Sequence, residues 1–250
     1  MRYFLEISYN GAAYHGWQIQ PNALSVQEVL QNKLSILLKE PILVIGAGRT
    51  DAGVHAKQMF LHMDVSKELS DISNLIYRLN SFLPRDIAVH QIFKVKEIAH
   101  ARFDAISREY HYKISLKKNP FNLGLAWDLY SLNLDFNLMN LAAEKMLYHT
   151  YYKCFSRSNS DVKTFDCIVQ KAIWIKENEE LRFEVVANRF LRNMVRAMVG
   201  TLIEVGKGKC TVEEFMMILN SGDRRKAGAS APAQGLYLHK ITYPLEAIVI

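Results

Sequence analysis

Hydrophobic and polar residues alternate over residues 2–9 and set Tyr3, Leu5, Ile7 and Tyr9 on one face, a period of two that predicts a strand. Asn10-Gly11 is a turn signal, and an aromatic loop holding Tyr14, Gly16 and Trp17 follows it. The period then changes. Ser25-Val26-Gln27-Glu28 reads as a capping box, and Val26, Val29, Leu30, Leu34 and Leu37 make a helical stripe that stops before Pro41. The apolar run 42–45 and the alternating run 57–64 predict two strands. Leu75, Ile76 and Leu79 predict a helix over 71–82, ended by Pro84, and 86–95 is strand-like again. The order is β-α-β-β-α-β.

After the connector 99–103 the order repeats. Residues 107–116 alternate, with Arg108, Tyr110, Tyr112, Ile114 and Leu116 on one side. A helix is predicted over 135–148 from Leu138, Leu141, Ala142 and Met146, and 168–176 with 181–187 reads as a hairpin. Leu191, Met194, Val195, Met198, Val199 and Leu202 then follow the helical repeat without a miss. Thr211 and Glu214 cap a further helix that ends at Gly222, and a small-residue loop over 223–235 leads to a last strand, 236–243. The predicted class is α/β (α+β), as two ferredoxin-like halves, 1–105 and 106–250, flanking a cleft. Such halves expose a sheet face, as RNA-recognition modules do.

Chemistry gathers in one place. The eleven residues from Gly46 to Ala56, between two predicted strands, hold three glycines, Arg49, Asp51 and His55. A loop this rich in reactive side chains is a candidate active site. No second carboxylate stands near for a glycosidase pair, and no Ser or Cys for an activated nucleophile. A dinucleotide fingerprint would need glycine where Asp51 stands, and the phosphate-loop pattern is absent. Two readings stay open: a lone carboxylate held ionised by a guanidinium, or a turn in which Asp51 bonds backbone N–H groups.

Composition narrows the partners. The chain of 250 residues is half hydrophobic, carries a formal charge of +6, and has a pI near 9.1, which hints at a polyanion. The three scattered cysteines form no metal motif, and no apolar run approaches the roughly 18 residues of a membrane helix, so an intracellular, cytoplasmic protein is expected. His55 and His62 lie seven apart on a predicted strand and are not expected to form a ligand pair. Arg189, Arg192 and Arg196 recur at helical spacing on the cleanest helix and the segment leading into it. Arg224, Arg225 and Lys226 make a second basic cluster. With aromatics such as Trp17, Phe103 and Tyr110 they suit backbone contact and base stacking on RNA, although each arginine alone also fits a solvated face.

Gly48-Arg49-Thr50-Asp51-Ala52-Gly53-Val54-His55-Ala56 resembles the active-site motif of the tRNA pseudouridine synthase A (TruA) family. So, in order, do Tyr9-Asn10-Gly11 with Tyr14 and Gly16-Trp17-Gln18, Ser25-Val26-Gln27-Glu28, Leu83-Pro84 with Asp86-Ile87, and His100-Ala101-Arg102-Phe103. Arg108 with Tyr110 and Tyr112, Phe190-Leu191 through Met194-Val195-Arg196, Gly235-Leu236 and Tyr243-Pro244 continue the match. The resemblance implies a pseudouridine synthase fold and a homodimer that isomerises uridine at positions 38, 39 and 40 of the tRNA anticodon stem-loop, with no cofactor or metal. It implies Asp51 as nucleophile, Tyr110 stacking on the uracil and serving in proton transfer, and Arg196 paired with Asp51. Arg49, His100, Ala101, Arg102, Phe103, Arg189 and Arg192 would contact the RNA. The alternative is a non-catalytic protein that binds and folds tRNA.

Overall fold

A computed structural model of the chain describes residues 1–130, 132–157 and 162–249. It divides into two compact units, one of 1–106 with 237–250 and one of 107–236. The first unit holds strand β1 (Arg2–Tyr9), helix α1 (Val26–Leu38), strands β2 (Val44–Gly46) and β3 (His55–Asp64), helix α2 (Ile72–Phe82) and strand β4 (Ile87–Val95). Its sheet runs β4-β1-β3, antiparallel throughout, with β2 antiparallel on β3. This is the strand order of a ferredoxin-like half. The Ser25 cap is the one read from the residue pattern, and Asp71 supplies a second that the pattern does not name. Ser25 Oγ accepts from the Glu28 N–H at 3.2 Å, and the Asp71 carboxylate accepts from the Asn74 N–H at 3.0 Å. Phe4, Leu5, Ile7, Leu30, Leu34, Met59, Leu61 and Leu79 build the core of this unit.

The second unit holds strands β5 (Ser107–Ser115) and β6 (Trp127–Asp128), helix α3 (Phe136–Lys145), the hairpin β7 (Val169–Glu177) and β8 (Glu180–Ala187), and helices α4 (Met194–Gly206) and α5 (Val212–Ser221). β8 lies between β5 and β7, antiparallel to both, and β6 adds a short parallel pairing to β5. The capping box of α5 is complete: Thr211 Oγ1 accepts from the Glu214 N–H, and the Glu214 carboxylate accepts from the Thr211 N–H. Helix α4 is buried on almost every side, so it is the core element of this unit. The buried face of α3 differs from the expected stripe. Met139, Ala142, Ala143 and Met146 are buried, whereas Leu138 and Leu141 are 38% and 49% exposed. Leucines outnumber the small residues on the pattern, but alanines allow the closer approach of α3 to α4 and β7.

The chain ends with strand β9 (Leu236–Thr242) and helix α6 (Leu245–Ile248). From Tyr237 onward this segment groups with the first unit, although the division drawn from sequence assigns 237–250 to the second half. Its strand pairing and its packing account for that. β9 pairs in parallel with the start of β3 through His55↔Tyr237 and Ala56↔Leu238. The Tyr243 ring packs edge-on against Phe4 and Phe60, with centroids 5.6 and 5.2 Å away. Among the described residues, no helix is long and apolar enough to cross a membrane.

Candidate active site

The loop between β2 and β3 is pinned along most of its length. The Ala47 N–H donates to the Phe60 carbonyl at 2.8 Å, which carries the strand pairing one residue past β2. At the other end the Val54 N–H donates to the Asp51 carbonyl at 3.2 Å, closing a tight turn whose third residue, Gly53, has φ +77. A side chain there would be strained, so glycine is needed. The turn is closed by the Asp51 main chain, and Asp51 is half-buried while Arg49 is exposed.

The aromatic loop of residues 10–17 grips this turn from outside it. Thr50 Oγ1 bonds the Tyr9 hydroxyl at 2.9 Å, and the Thr50 carbonyl accepts from the Trp17 N–H at 3.2 Å. The Gly53 N–H donates to the Tyr14 carbonyl at 3.2 Å, and the Gly11 N–H donates to His55 Nδ1 at 3.1 Å. Asp51 is therefore flanked on both sides by residues whose main chain is held. Trp17 is corrected here. It is 1% exposed, stacks near Tyr9 at 6.5 Å and lies against Gly46, so it supports the loop and offers no face to an RNA base. The Tyr14 hydroxyl donates to Asp86 Oδ1 at 2.6 Å, and burial with that carboxylate raises its pKa.

The segment from His100 to Phe103 is a built turn. His100 Nδ1 accepts from the N–H groups of Arg102 and Phe103 at 3.1 and 3.4 Å, and the His100 N–H donates to Asp104 Oδ2 at 2.7 Å. Ala101 is buried, its N–H donating to His62 Nδ1 at 3.2 Å and its carbonyl accepting from the Tyr243 hydroxyl. Arg102 and Phe103 point outward, and the Phe103 ring is 74% exposed with the Arg102 guanidinium 5.7 Å from its centroid. That is a cation beside an open aromatic face, a pair suited to phosphate and base. His62 beneath it is fully buried, and desolvation, with Arg2 and His100 nearby, lowers its pKa to about 4. Burial and Arg2 lower that of His100 as well. Both rings act as acceptors, which requires them neutral.

In the second unit, Tyr110 on β5 is half-buried, its ring edge-on to Phe190 at 5.0 Å. Arg196 sits in the first turn of α4. A cation at the positive end of a helix dipole, on a helix buried on almost every side, runs against local preference. Arg196 Nε donates to the Ala231 carbonyl at 2.7 Å, and the Ala231 N–H returns a bond to the Arg196 carbonyl at 2.9 Å. Arg189 and Arg192 lie in the segment that leads into α4, ahead of its first residue, Met194. Asn193, with φ +66, breaks the helical path between them and Arg196. The second basic cluster is partly spent on its own loop. Arg224 donates to the Ala227 and Gly228 carbonyls and to Ser230 Oγ, and Arg225 pairs with Asp223 at 2.8 Å, which holds that carboxylate down at about 2.

Three supporting groups lie outside the residues expected from sequence: His62, the Tyr14–Asp86 pair, and Gln27. Their bonds join segments far apart in the chain, and periodicity carries no trace of them. For Gln27 and Tyr14 the signal was the motif each belongs to, which does not say what the side chain does.

The family pattern described as tRNA pseudouridine synthase matches residues 7–104 and 142–244. The chain is 48% identical to the tRNA pseudouridine synthase A of Bacteroides thetaiotaomicron over 246 residues, covering 97% of this chain and 91% of that protein. It is 46% identical to that of Parabacteroides distasonis over 245 residues, 98% of this chain and 97% of the relative. A more distant relative of the same name, from a Thermoanaerobacter species, is 41% identical over 241 residues, 95% and 97% of the two chains.

Proposed function

Since the chain belongs to the tRNA pseudouridine synthase family and is an isomerase, we propose that it converts uridine to pseudouridine at positions 38, 39 and 40 of the tRNA anticodon stem-loop, with Asp51 as the nucleophile. The observation that carries this reading is the turn around Asp51, clamped at Thr50 and Gly53 by the aromatic loop. A half-buried residue on a rigid frame keeps one attack geometry, and orientation of this kind lowers a reaction barrier.

The target base leaves its stack to reach the carboxylate. Asp51 adds either to C6 of the uracil or to C1′ of the ribose, and the bond between N1 and C1′ breaks. The base turns, C5 bonds to C1′, the bond to Asp51 breaks and returns the carboxylate, the proton on C5 departs and N1 takes one up, so the product is an isomer of the substrate. Tyr110, held edge-on by Phe190, stacks on the uracil and assists removal of the C5 proton. Arg196 takes the part the family resemblance assigns it, that of ionic partner to the Asp51 carboxylate. Arg49, the turn of His100, Ala101, Arg102 and Phe103, and the pair Arg189 and Arg192 meet the RNA, mostly through its phosphates. The enzyme acts as a homodimer in the cytoplasm, where its substrate is.

Transfer RNA carrying tritium at C5 of uridine tests this. Wild type should release tritium to water, and Asp51→Asn should release none while binding tRNA within about twofold of wild type. Release by Asp51→Asn would remove that residue from the chemistry. Tight binding with no release by either protein would favour the non-catalytic tRNA-binding reading.

A further inference from the structure

One face of α1 is addressed to the strand that leads into the catalytic loop. Three side chains spaced by four do this. Ser35 Oγ accepts from the Ile42 N–H at 2.9 Å, Gln31 Oε1 accepts from the Val44 N–H at 3.3 Å, and Gln27 Nε2 donates to the Val44 carbonyl at 2.8 Å. β2 is only three residues long and pairs with β3 along one edge. The outward N–H and carbonyl of Val44 would otherwise be an unpaired sheet edge, and the two glutamine amides occupy the place of a further strand.

Gln27 reaches further than its neighbours. Its Oε1 also accepts from the Ile19 N–H at 3.0 Å, and its own N–H donates to the Trp17 carbonyl at 3.1 Å. The Trp17 N–H in turn donates to the Thr50 carbonyl, one residue before Asp51. One buried amide thus ties together the strand that enters the catalytic loop and the aromatic loop that clamps it. The site asks for one donor and one acceptor on a single planar group, which glutamine supplies.

We propose that Gln27 is a positioning residue for the reaction: by bridging Val44 and Ile19 it sets where the Asp51 carboxylate stands relative to the bound uridine. The proposal rests on the reading of Asp51 as nucleophile. It does not require Gln27 to touch RNA, so its loss leaves tRNA affinity in place. Nor is any residue of this length sufficient. An ionised carboxylate accepts from Ile19 but repels the Val44 carbonyl, whereas a protonated carboxyl donates to Val44 and accepts from Ile19 as the amide does.

That difference supplies the experiment. Single-turnover tritium release and tRNA affinity are measured for wild type and Gln27→Glu from pH 5 to pH 8. At pH 8 the variant should be slower than wild type by about tenfold or more, with tRNA affinity within about twofold, because small misplacements near reacting atoms cost that much. As the pH falls and the introduced carboxyl takes up its proton, the ratio of variant to wild-type rate should climb back toward one. Equal rates at every pH, a ratio that does not change with pH, or a loss confined to tRNA affinity would each overturn the proposal. If Gln27→Glu does not fold, Gln27→Met carries the test at pH 7: a slow, tRNA-binding protein supports the proposal, and wild-type turnover overturns it. Wild type that releases no tritium fails the functional reading itself, and the proposal with it.

Discussion

Gly11→Ala is the sharpest probe of the clamp on the catalytic loop. A Cβ built on Gly11 would stand 2.0 Å from the Val54 carbonyl oxygen and 2.6 Å from its carbon. To restore an ordinary contact of 3.4 Å, the carbonyl and the new methyl must separate by about 1.4 Å. Neither side has slack. The Gly11 N–H is bonded to His55 Nδ1, its carbonyl accepts from the Tyr14 N–H, and the Val54 side chain is 1% exposed. Overpacking of this kind costs roughly 1–3 kcal/mol, and in a chain of this size each kcal/mol lowers the thermal midpoint by roughly 2–4 °C. The displaced carbonyl belongs to the residue whose N–H closes the turn on Asp51, so the rate should fall by about a hundredfold. Thermal melting and single-turnover tritium release, measured on the same preparation, read both effects. Gly48→Ala is the matched comparison: nothing lies within 4 Å of its added Cβ, and its melting midpoint should equal that of wild type. A Gly11→Ala protein with wild-type rate and midpoint would refute the idea that this contact fixes the loop.

Two further outcomes follow from buried polar groups. His62 titrates near 4 in the folded chain, where burial holds it, against 6.5 unfolded. Between those values the unfolded chain binds a proton that the folded one does not, so stability rises with pH across this window and is lost as pH falls, by up to about 3 kcal/mol for this one group. Urea midpoints measured between pH 7 and pH 4.5 should decline, and His62→Gln, which can still accept from Ala101, should flatten the decline; an unchanged slope would assign it to other groups. Tyr14→Phe removes the hydrogen bond to Asp86 and should lower stability by about 1.5 kcal/mol in urea titration, with no change if that bond is idle.

Local signals read well here because they arise from bonds between near neighbours. Ser25 and Thr211 cap the helices expected of them, and Gly222 closes α5 with φ +60. The start of α4 was not legible: Leu191 keeps the apolar repeat and is buried, yet Asn193 turns left-handed between it and the helix. An apolar pattern reports burial, not backbone path. The same gap misassigned Trp17, since an aromatic in a loop looks the same whether it faces RNA or packs on Gly46. The two-residue strand β6 is too short to carry any period. In the candidate site, Asp51 was visible from the company it keeps, while Gln27, His62 and Tyr14 act through partners between 8 and 72 positions away.

The pairing of His55 and Ala56 with Tyr237 and Leu238 sets an order on biosynthesis. The first unit is discontinuous in sequence, its opening stretch 1–106 made early and its closing stretch 237–250 made last. During translation the start of the strand that follows the catalytic loop therefore waits for β9 while about 170 residues are added, on the order of ten seconds at ordinary elongation rates. The intervening unit, continuous in sequence, can complete itself in that interval. The nascent chain acquires its reactive loop well before the strand that pairs beside it, so a chain arrested before residue 237 carries Asp51 with its sheet unfinished.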